Sequence, residues 1–239
     1  MSPPVAFVAG ATGYTGREVV ATACARGIVT HAHVRPDSPN FEATRLRLSA
    51  LGATVEPLPW TLGAMTEAMA RIRPTQLYYL IGTTKARARA AARAGAAPAD
   101  YASVDVGLAL LLVDACKAVG IRPRFVYLSS LGAGPGARGA YLQARAQVEA
   151  ALAESGLPYT VVRPSFITGP DREEDRIGER VGAAISDRVL SLVGALGGRQ
   201  TQQRYRSTDA ATLARALVRL AGDPAAEGKV ILSEDLHEP

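Results

Sequence analysis

Gly10-Ala-Thr-Gly13-Tyr-Thr-Gly16 stands directly between an apolar run, Val5 to Ala9, and an amphipathic stretch that begins at Tyr14. Glycines at those intervals permit a tight turn and let backbone amides approach an anion, whose charge is stabilised by the N-terminus of the following helix. Placed after a strand and before a helix, the pattern points to the pyrophosphate of a dinucleotide, with Thr12, Tyr14 and Thr15 in the turn; the alternative is an ordinary strand-to-helix turn. The next strand leads into Arg35-Pro-Asp37-Ser38. A chain selective for NAD would place a carboxylate there for the adenosine ribose. A guanidinium suits a 2′-phosphate instead, so the expected cofactor is NADP(H). In the alternative, Arg35 is a surface residue and Asp37 contacts the ribose.

A third group follows the fifth strand-like run. Ser129-Ser130 closes the run Phe125-Val-Tyr-Leu, and Tyr141-Leu-Gln-Ala-Arg145 opens a helix. A spacing of four puts Tyr141 and Arg145 on one helix face, and a serine at a strand's carboxyl end can meet them. With these residues the chain resembles the short-chain dehydrogenase/reductase superfamily, in its atypical NAD(P)H-binding branch. Gly82-Thr83-Thr84-Lys85, Tyr141-Leu-Gln, Arg163-Pro164, Asp171-Arg172-Glu173, Arg176 and Gly178-Glu179 narrow the resemblance to the HIV Tat-interacting oxidoreductase family, over nearly the whole chain. The resemblance implies that Ser130 orients a substrate carbonyl, with Ser129 as its rival, and that Tyr141 is the general acid. It further implies that Gly82, Thr83, the Pro164 to Ile167 backbone and Arg176 line the nicotinamide end.

Two positions depart from the family pattern. Arg145 stands where the family has a lysine that holds the nicotinamide ribose and lowers the tyrosine pKa. Arginine keeps the charge, but its planar fork differs in reach, and it does not deprotonate at working pH, so a proton relay through it is lost. Pro59, beside Trp60, stands where relatives carry an aspartate toward adenine; Trp60 is expected in the core. The expected activity is NADPH-dependent reduction of a small carbonyl or related electrophile. The alternatives are a non-catalytic NADP(H)-binding regulator or scaffold, and a quinone- or flavin-type reductase that does not use Tyr141.

The elements that must hold these residues alternate along the chain. Strand-like runs are expected at 5–9, 30–35, 54–57, 76–81, 124–129, 159–163 and 229–232, with helical patterns at about 14–26, 41–51, 61–72, 103–119, 141–155 and 208–221. Such alternation predicts an α/β fold: one doubly wound, Rossmann-type, mostly parallel sheet of about seven strands with helices on both faces. Residues 1–239 are expected to form a single NADP(H)-binding domain, with 164–239 contributing a substrate-side cap. The Ala- and Arg-rich stretch 85–99 and the charged stretch 169–179 have no clear place in the sheet scheme.

Composition narrows the class further. With 239 residues and 48% hydrophobic content, the chain can bury a substantial core. No apolar run approaches the ~20 residues of a membrane helix, and the first run lacks a basic leader and breaks at Gly10, so a cytoplasmic protein is expected. A net charge of +5 arises from scattered arginines, with lysine only at 85, 117 and 229, and gives no nucleic-acid pattern. Cys24 and Cys116 read as buried free thiols. His31 and His33 share a strand face without a third ligand nearby, and Glu173, Glu174 and Asp175 alternate with Arg172 and Arg176 as in a solvated ion-pair segment, so no metal is expected. The partner is a small-molecule substrate; monomer and homodimer are both open.

Overall fold

The run Val5–Ala9 forms β1, an interior strand of a parallel sheet, and its alternation decides how the helices divide. Ala6 and Val8 point to one face, Phe7 and Ala9 to the other. The same alternation recurs where Tyr78 opposes Leu77 and Tyr79, and where Val126 and Leu128 oppose Phe125 and Tyr127. Both faces are apolar because both are covered. The computed structural model describes residues 3–82, 105–165, 167–168 and 208–236. Thr83, Arg176 and the segments 85–99 and 169–179 lie outside the described residues.

In chain order the elements are α1 (Tyr14–Ala25), β2 (Val29–Val34), α2 (Phe41–Ala50), β3 (Thr54–Pro57), α3 (Leu62–Ile72) and β4 (Gln76–Tyr79). They continue with α4 (Gly107–Val119), β5 (Arg124–Leu128), α5 (Ala140–Glu154), β6 (Tyr159–Arg163), β7 (Ile167–Thr168), β8 (Thr208–Asp209), α6 (Ala210–Gly222) and β9 (Lys229–Leu232). The seven-stranded sheet runs β3-β2-β1-β4-β5-β6-β9, every pair parallel. This is the doubly wound Rossmann-type arrangement expected from the alternation. Its order reverses between β1 and β4, and a crevice opens there at the strands' carboxyl ends.

Helices α1 and α6 pack together on one face, α3 and α4 on the other. Helix α4 ends on Gly120 at φ 70°, the left-handed cap its position suggested. Three expectations are corrected. Strands β2, β4 and β5 stop at Val34, Tyr79 and Leu128, so Arg35, Ile81 and Ser129 lie just past the ladder, where the chain turns toward the crevice. Helix α6 starts at Ala210 because Asp209 caps it, its Oδ1 accepting from the Thr212 amide at 2.9 Å. The residues before it pair as β8 with β7 in a two-stranded sheet that two-residue strands cannot announce by periodicity. Cys116 is buried as expected, with burial pushing its thiol up to about 12, whereas Cys24 is only partly buried.

The two histidines of β2 have structural partners. His31 Nδ1 lies 2.8 Å from Glu56 Oε1, and Arg71 grips both oxygens of the same carboxylate. His33 Nε2 donates to the Leu58 carbonyl at 2.8 Å and its ring meets Trp60 edge-on at 4.5 Å. Trp60 rests against the α3/α4 core, as expected of a core residue. Burial favours the protonated form of Glu56, but the hydrogen bonds from Arg71 and His31 outweigh it and hold the carboxyl below its ordinary 4.5. Burial also holds His33 below its ordinary 6.5.

Both depressed values carry the same sign: the unfolded chain binds more protons than the folded one. Stability should therefore decline as pH falls below 6.5, where His33 is charged only when unfolded, and again as pH falls through and below 4.5, where Glu56 loses its pairing. Denaturant unfolding at a series of pH values should show both steps. The Glu56→Gln variant should be less stable at neutral pH and lack the lower step.

Candidate active site

The glycine turn sits at the reversal between β1 and β4. Gly10 takes φ +92°, and its amide-to-carbonyl turn closes with Gly13 N donating to Gly10 O at 3.0 Å. A Cβ on Gly16 would lie 2.0 Å from that same Gly10 oxygen, so only glycine lets α1 approach the strand end this closely. Gly13 is the N-cap of α1 and contributes no capping side chain, and the first turn carries no acidic residue. The turn therefore presents backbone donors and a helix N-terminus without a built-in anion, which fits a dinucleotide pyrophosphate. Thr12 is exposed, Tyr14 half-buried with Arg17 6.0 Å over its ring, and Thr15 buried.

Arg35 lies one residue beyond β2, half-exposed, with Nη1 3.4 Å from Asp37 Oδ2. A contact this long between solvated groups stabilises little, so the guanidinium is available to a stronger anion.

Tyr141 opens α5, with Arg145 one turn later and Glu149 one turn after that. All three lie on the face turned toward the sheet. The Arg145 side chain runs into the core, where Nη1 donates to Leu128 O at 2.9 Å, Ile81 O at 3.2 Å and the Tyr127 hydroxyl at 3.2 Å. Its Nη2 stands 3.4 Å from the carboxylate of Asp105. The guanidinium carbon lies 5.2 Å from the Tyr141 ring centre and 5.6 Å from that of Tyr127. Burial works against the charge, but the Tyr127, Tyr141 and Asp105 groups outweigh it and raise the Arg145 pKa, so the residue stays cationic. Gly82 is explained by the same side chain, because a Cβ there would lie 2.0 Å from Arg145 Nη2.

The two serines separate clearly. Ser129 is buried and its hydroxyl donates to Glu149 Oε1, while Arg163 holds both oxygens of Glu149 through Nε, at 2.9 Å, and Nη2. Ser130 is half-buried, and its hydroxyl makes a weak 3.4 Å contact to the Leu131 carbonyl. The loop after Ser130 is tied to the end of β6 by Leu131 N donating to Pro164 O at 2.9 Å. Pro164 is buried, Ser165 N is bound by the Ser233 hydroxyl at 2.7 Å, and Ile167 packs against the core.

These contacts join the separate sequence signals through one short segment. Gly10 presses against Leu80 and Ile81, a Cβ there falling 3.0–3.1 Å from their backbone, and Arg145 binds the Ile81 carbonyl. The glycine turn and the Tyr141 face thus share the end of β4. Sequence reasoning missed Asp105, Tyr127, Glu149 and Arg163 as members of this network. Glu149 left a signal in the continuation of the four-residue spacing from Tyr141 and Arg145, and Arg163 one in the Arg163-Pro164 motif. Among the described residues no group of His, Cys, Asp and Glu could hold a metal, and no helix is long and apolar enough to cross a membrane.

A family model described as NAD(P)H-binding matches residues 10–224. Comparison with curated proteins finds no match. Among solved structures the chain is similar to UDP-glucose 4-epimerase from Brucella ovis in complex with NAD, at 19% identity and TM-score 0.66 over 97% of this chain and 77% of that one. It is also similar to ChuY, an anaerobillin reductase from Escherichia coli O157:H7, at 17% identity and TM-score 0.62 over 100% of both chains. An oxidoreductase from Lactococcus lactis aligns at 16% identity and TM-score 0.62 over 95% of this chain and 88% of that one.

Proposed function

The chain belongs to the NAD(P)H-binding family, and on that premise we propose that it is an NADPH-dependent reductase of a small carbonyl, with Tyr141 as the proton donor. The observation that carries this reading is the sharing of the β4 end: the glycine turn touches Ile81 from one side and the cation under Tyr141 touches it from the other. A dinucleotide whose pyrophosphate lies over Gly10, Thr12, Gly13, Tyr14, Thr15 and Gly16 would have its far end directed toward Gly82, Pro164 and Ile167; the resemblance assigns Thr83 and Arg176, outside the described residues, to the same end. When bound, reduced nicotinamide supplies a hydride.

The protein's part is to polarise and protonate. Ser130 donates a hydrogen bond to the substrate carbonyl oxygen; Ser129 is less suited because Glu149 already takes its hydroxyl proton. Tyr141 gives its phenolic proton to that oxygen as the carbonyl carbon accepts the hydride, leaving an alcohol and a tyrosinate that solvent reprotonates. Arg145 stabilises the tyrosinate from the face of the ring. Its Nη donors are shared with Ile81, Leu128, Tyr127 and Asp105, so a ribose hydroxyl would have to compete for them. We assign the substrate-side cap to residues from 164–239, and to the protein a cytoplasmic setting.

The test is titration with NADPH and NADH, followed by cofactor oxidation with a panel of aldehydes, ketones and quinones. Tight NADPH binding with turnover supports the reductase. Tight binding without turnover on any of them favours a regulator that uses the dinucleotide as a ligand, a reading to which the engaged donors of Arg145 lend weight. For the cofactor, Arg35→Ala should weaken NADPH by about ten- to hundred-fold, the loss of a charge-assisted contact to the 2′-phosphate, and leave NADH unchanged. Equal losses for both would place the 2′-phosphate elsewhere.

A further inference from the structure

Among the described residues, Asp105 is the carboxylate most completely removed from solvent, at 0% exposure. It sits in the wide helical turn that leads into α4, and its backbone carbonyl accepts the Tyr79 hydroxyl at 2.8 Å, which anchors it against β4. Its side chain meets Arg145, itself almost wholly buried. Removing two charges from water costs several kcal/mol per ion, and mutual attraction alone seldom recovers it. A pair retained at such a cost, directly beneath a candidate proton donor, invites a role in that proton's chemistry.

Among the described residues, the titratable groups around the pair come from four places: Tyr79 of β4, Asp105 before α4, Tyr127 of β5, and Tyr141 beside Arg145 on α5. One turn further along α5, Glu149 is taken up by Arg163 and Ser129. A guanidinium alone among three phenols would draw their protons away. The carboxylate opposes it. Burial raises the phenols of Tyr79 and Tyr127 above the usual tyrosine range, Asp105 adds to the rise, and Arg145 works against it. Asp105 faces Nη2 at 3.4 Å as an ion pair, while Nη1 hydrogen-bonds the ends of β4 and β5 with the guanidinium under the Tyr141 ring.

We infer that Asp105 is a positioning residue for the reduction: acting through Arg145, it supplies the counter-charge that keeps the proton on Tyr141 until the carbonyl oxygen takes it. This rests on the reductase reading above. Asp105→Asn keeps the shape and removes the charge. Reduction requires a protonated phenol, and loss of the anion favours the phenolate, so the alkaline limb of kcat should move about one pH unit toward neutral. A purely structural role would lower kcat without moving the limb. Phenolate absorbance, taken as the difference between each protein and its Tyr141→Phe counterpart, should show the same displacement independently of turnover.

If Asp105→Asn does not fold with Arg145 left unpaired, the comparison is made on an Arg145→Lys background, which keeps a cation for Asp105 to act through, and removing Asp105 should again let the Tyr141 phenolate appear at lower pH. An unmoved titration in whichever folded variant is compared overturns the inference. Should Tyr141→Phe leave turnover intact, the reductase reading fails instead, while the phenolate absorbance still decides whether Asp105 acts on Tyr141.

Discussion

Tyr141→Phe is expected to lower turnover by roughly 10²–10⁴-fold, the range supplied by a positioned general acid, while NADPH affinity stays nearly intact. The substitution removes one oxygen and keeps the ring, so the stacking on Arg145 that orders the start of α5 survives. The glycine turn and Arg35 are built on other elements, at the ends of β1 and β2. The steady-state rate of NADPH oxidation, read beside a binding titration, separates the two effects. A rate unchanged by the substitution would exclude proton donation by Tyr141 and turn attention to a quinone- or flavin-type reaction on the same cofactor fold. A fall in affinity equal to the fall in rate would instead make Tyr141 a cofactor contact.

Gly16→Ala should be the most damaging glycine-to-alanine change among the described residues. In an ordinary helix the change from glycine to alanine stabilises by about 1 kcal/mol, because the unfolded chain loses less freedom. Here the added carbon would fall 2.0 Å from the Gly10 oxygen and 2.8 Å from its carbonyl carbon, and both atoms are backbone. The turn must open, with loss of the Gly13-to-Gly10 hydrogen bond and of the amide arrangement that would receive the pyrophosphate. Thermal unfolding should move downward, and NADPH affinity should fall by about 100-fold or more, the equivalent of two or three lost hydrogen bonds. A variant that gained stability would show that the turn tolerates a side chain and that Gly16 is there for another reason.

The positions where chemistry was legible in the sequence share a property: their meaning is carried by neighbours in the chain. The glycine spacing needs only the strand before it and the helix after it. Tyr141 and Arg145 are read together because four residues make about one helical turn. The buried parallel strands announced themselves as continuous apolar runs, which is why the seven-stranded sheet and its helices were predictable to within a few residues. The misjudged strand ends lie where the chain leaves the ladder for the crevice, at Arg35, Ile81 and Ser129. At Ile81 the apolar pattern outlasts the strand, and at Ser129 the amide still donates to the Val162 carbonyl at 2.7 Å.

The sequence by itself thus determined the doubly wound fold, the family to which the chain belongs and the local groups of a dinucleotide site. The tertiary structure decided what those groups touch. That Arg145 turns inward to the ends of β4 and β5, that Gly82 is glycine to make room for it, and that Asp105 balances its charge are facts about residues 17 to 64 positions apart. Likewise only the fold shows that Ser129 is committed to Glu149 while Ser130 faces the loop. The physical reason is the range of the interactions. Hydrophobic periodicity and turn chemistry are set between near neighbours along the chain, whereas the partner of a buried charge is chosen by whichever strand ends the sheet order brings together.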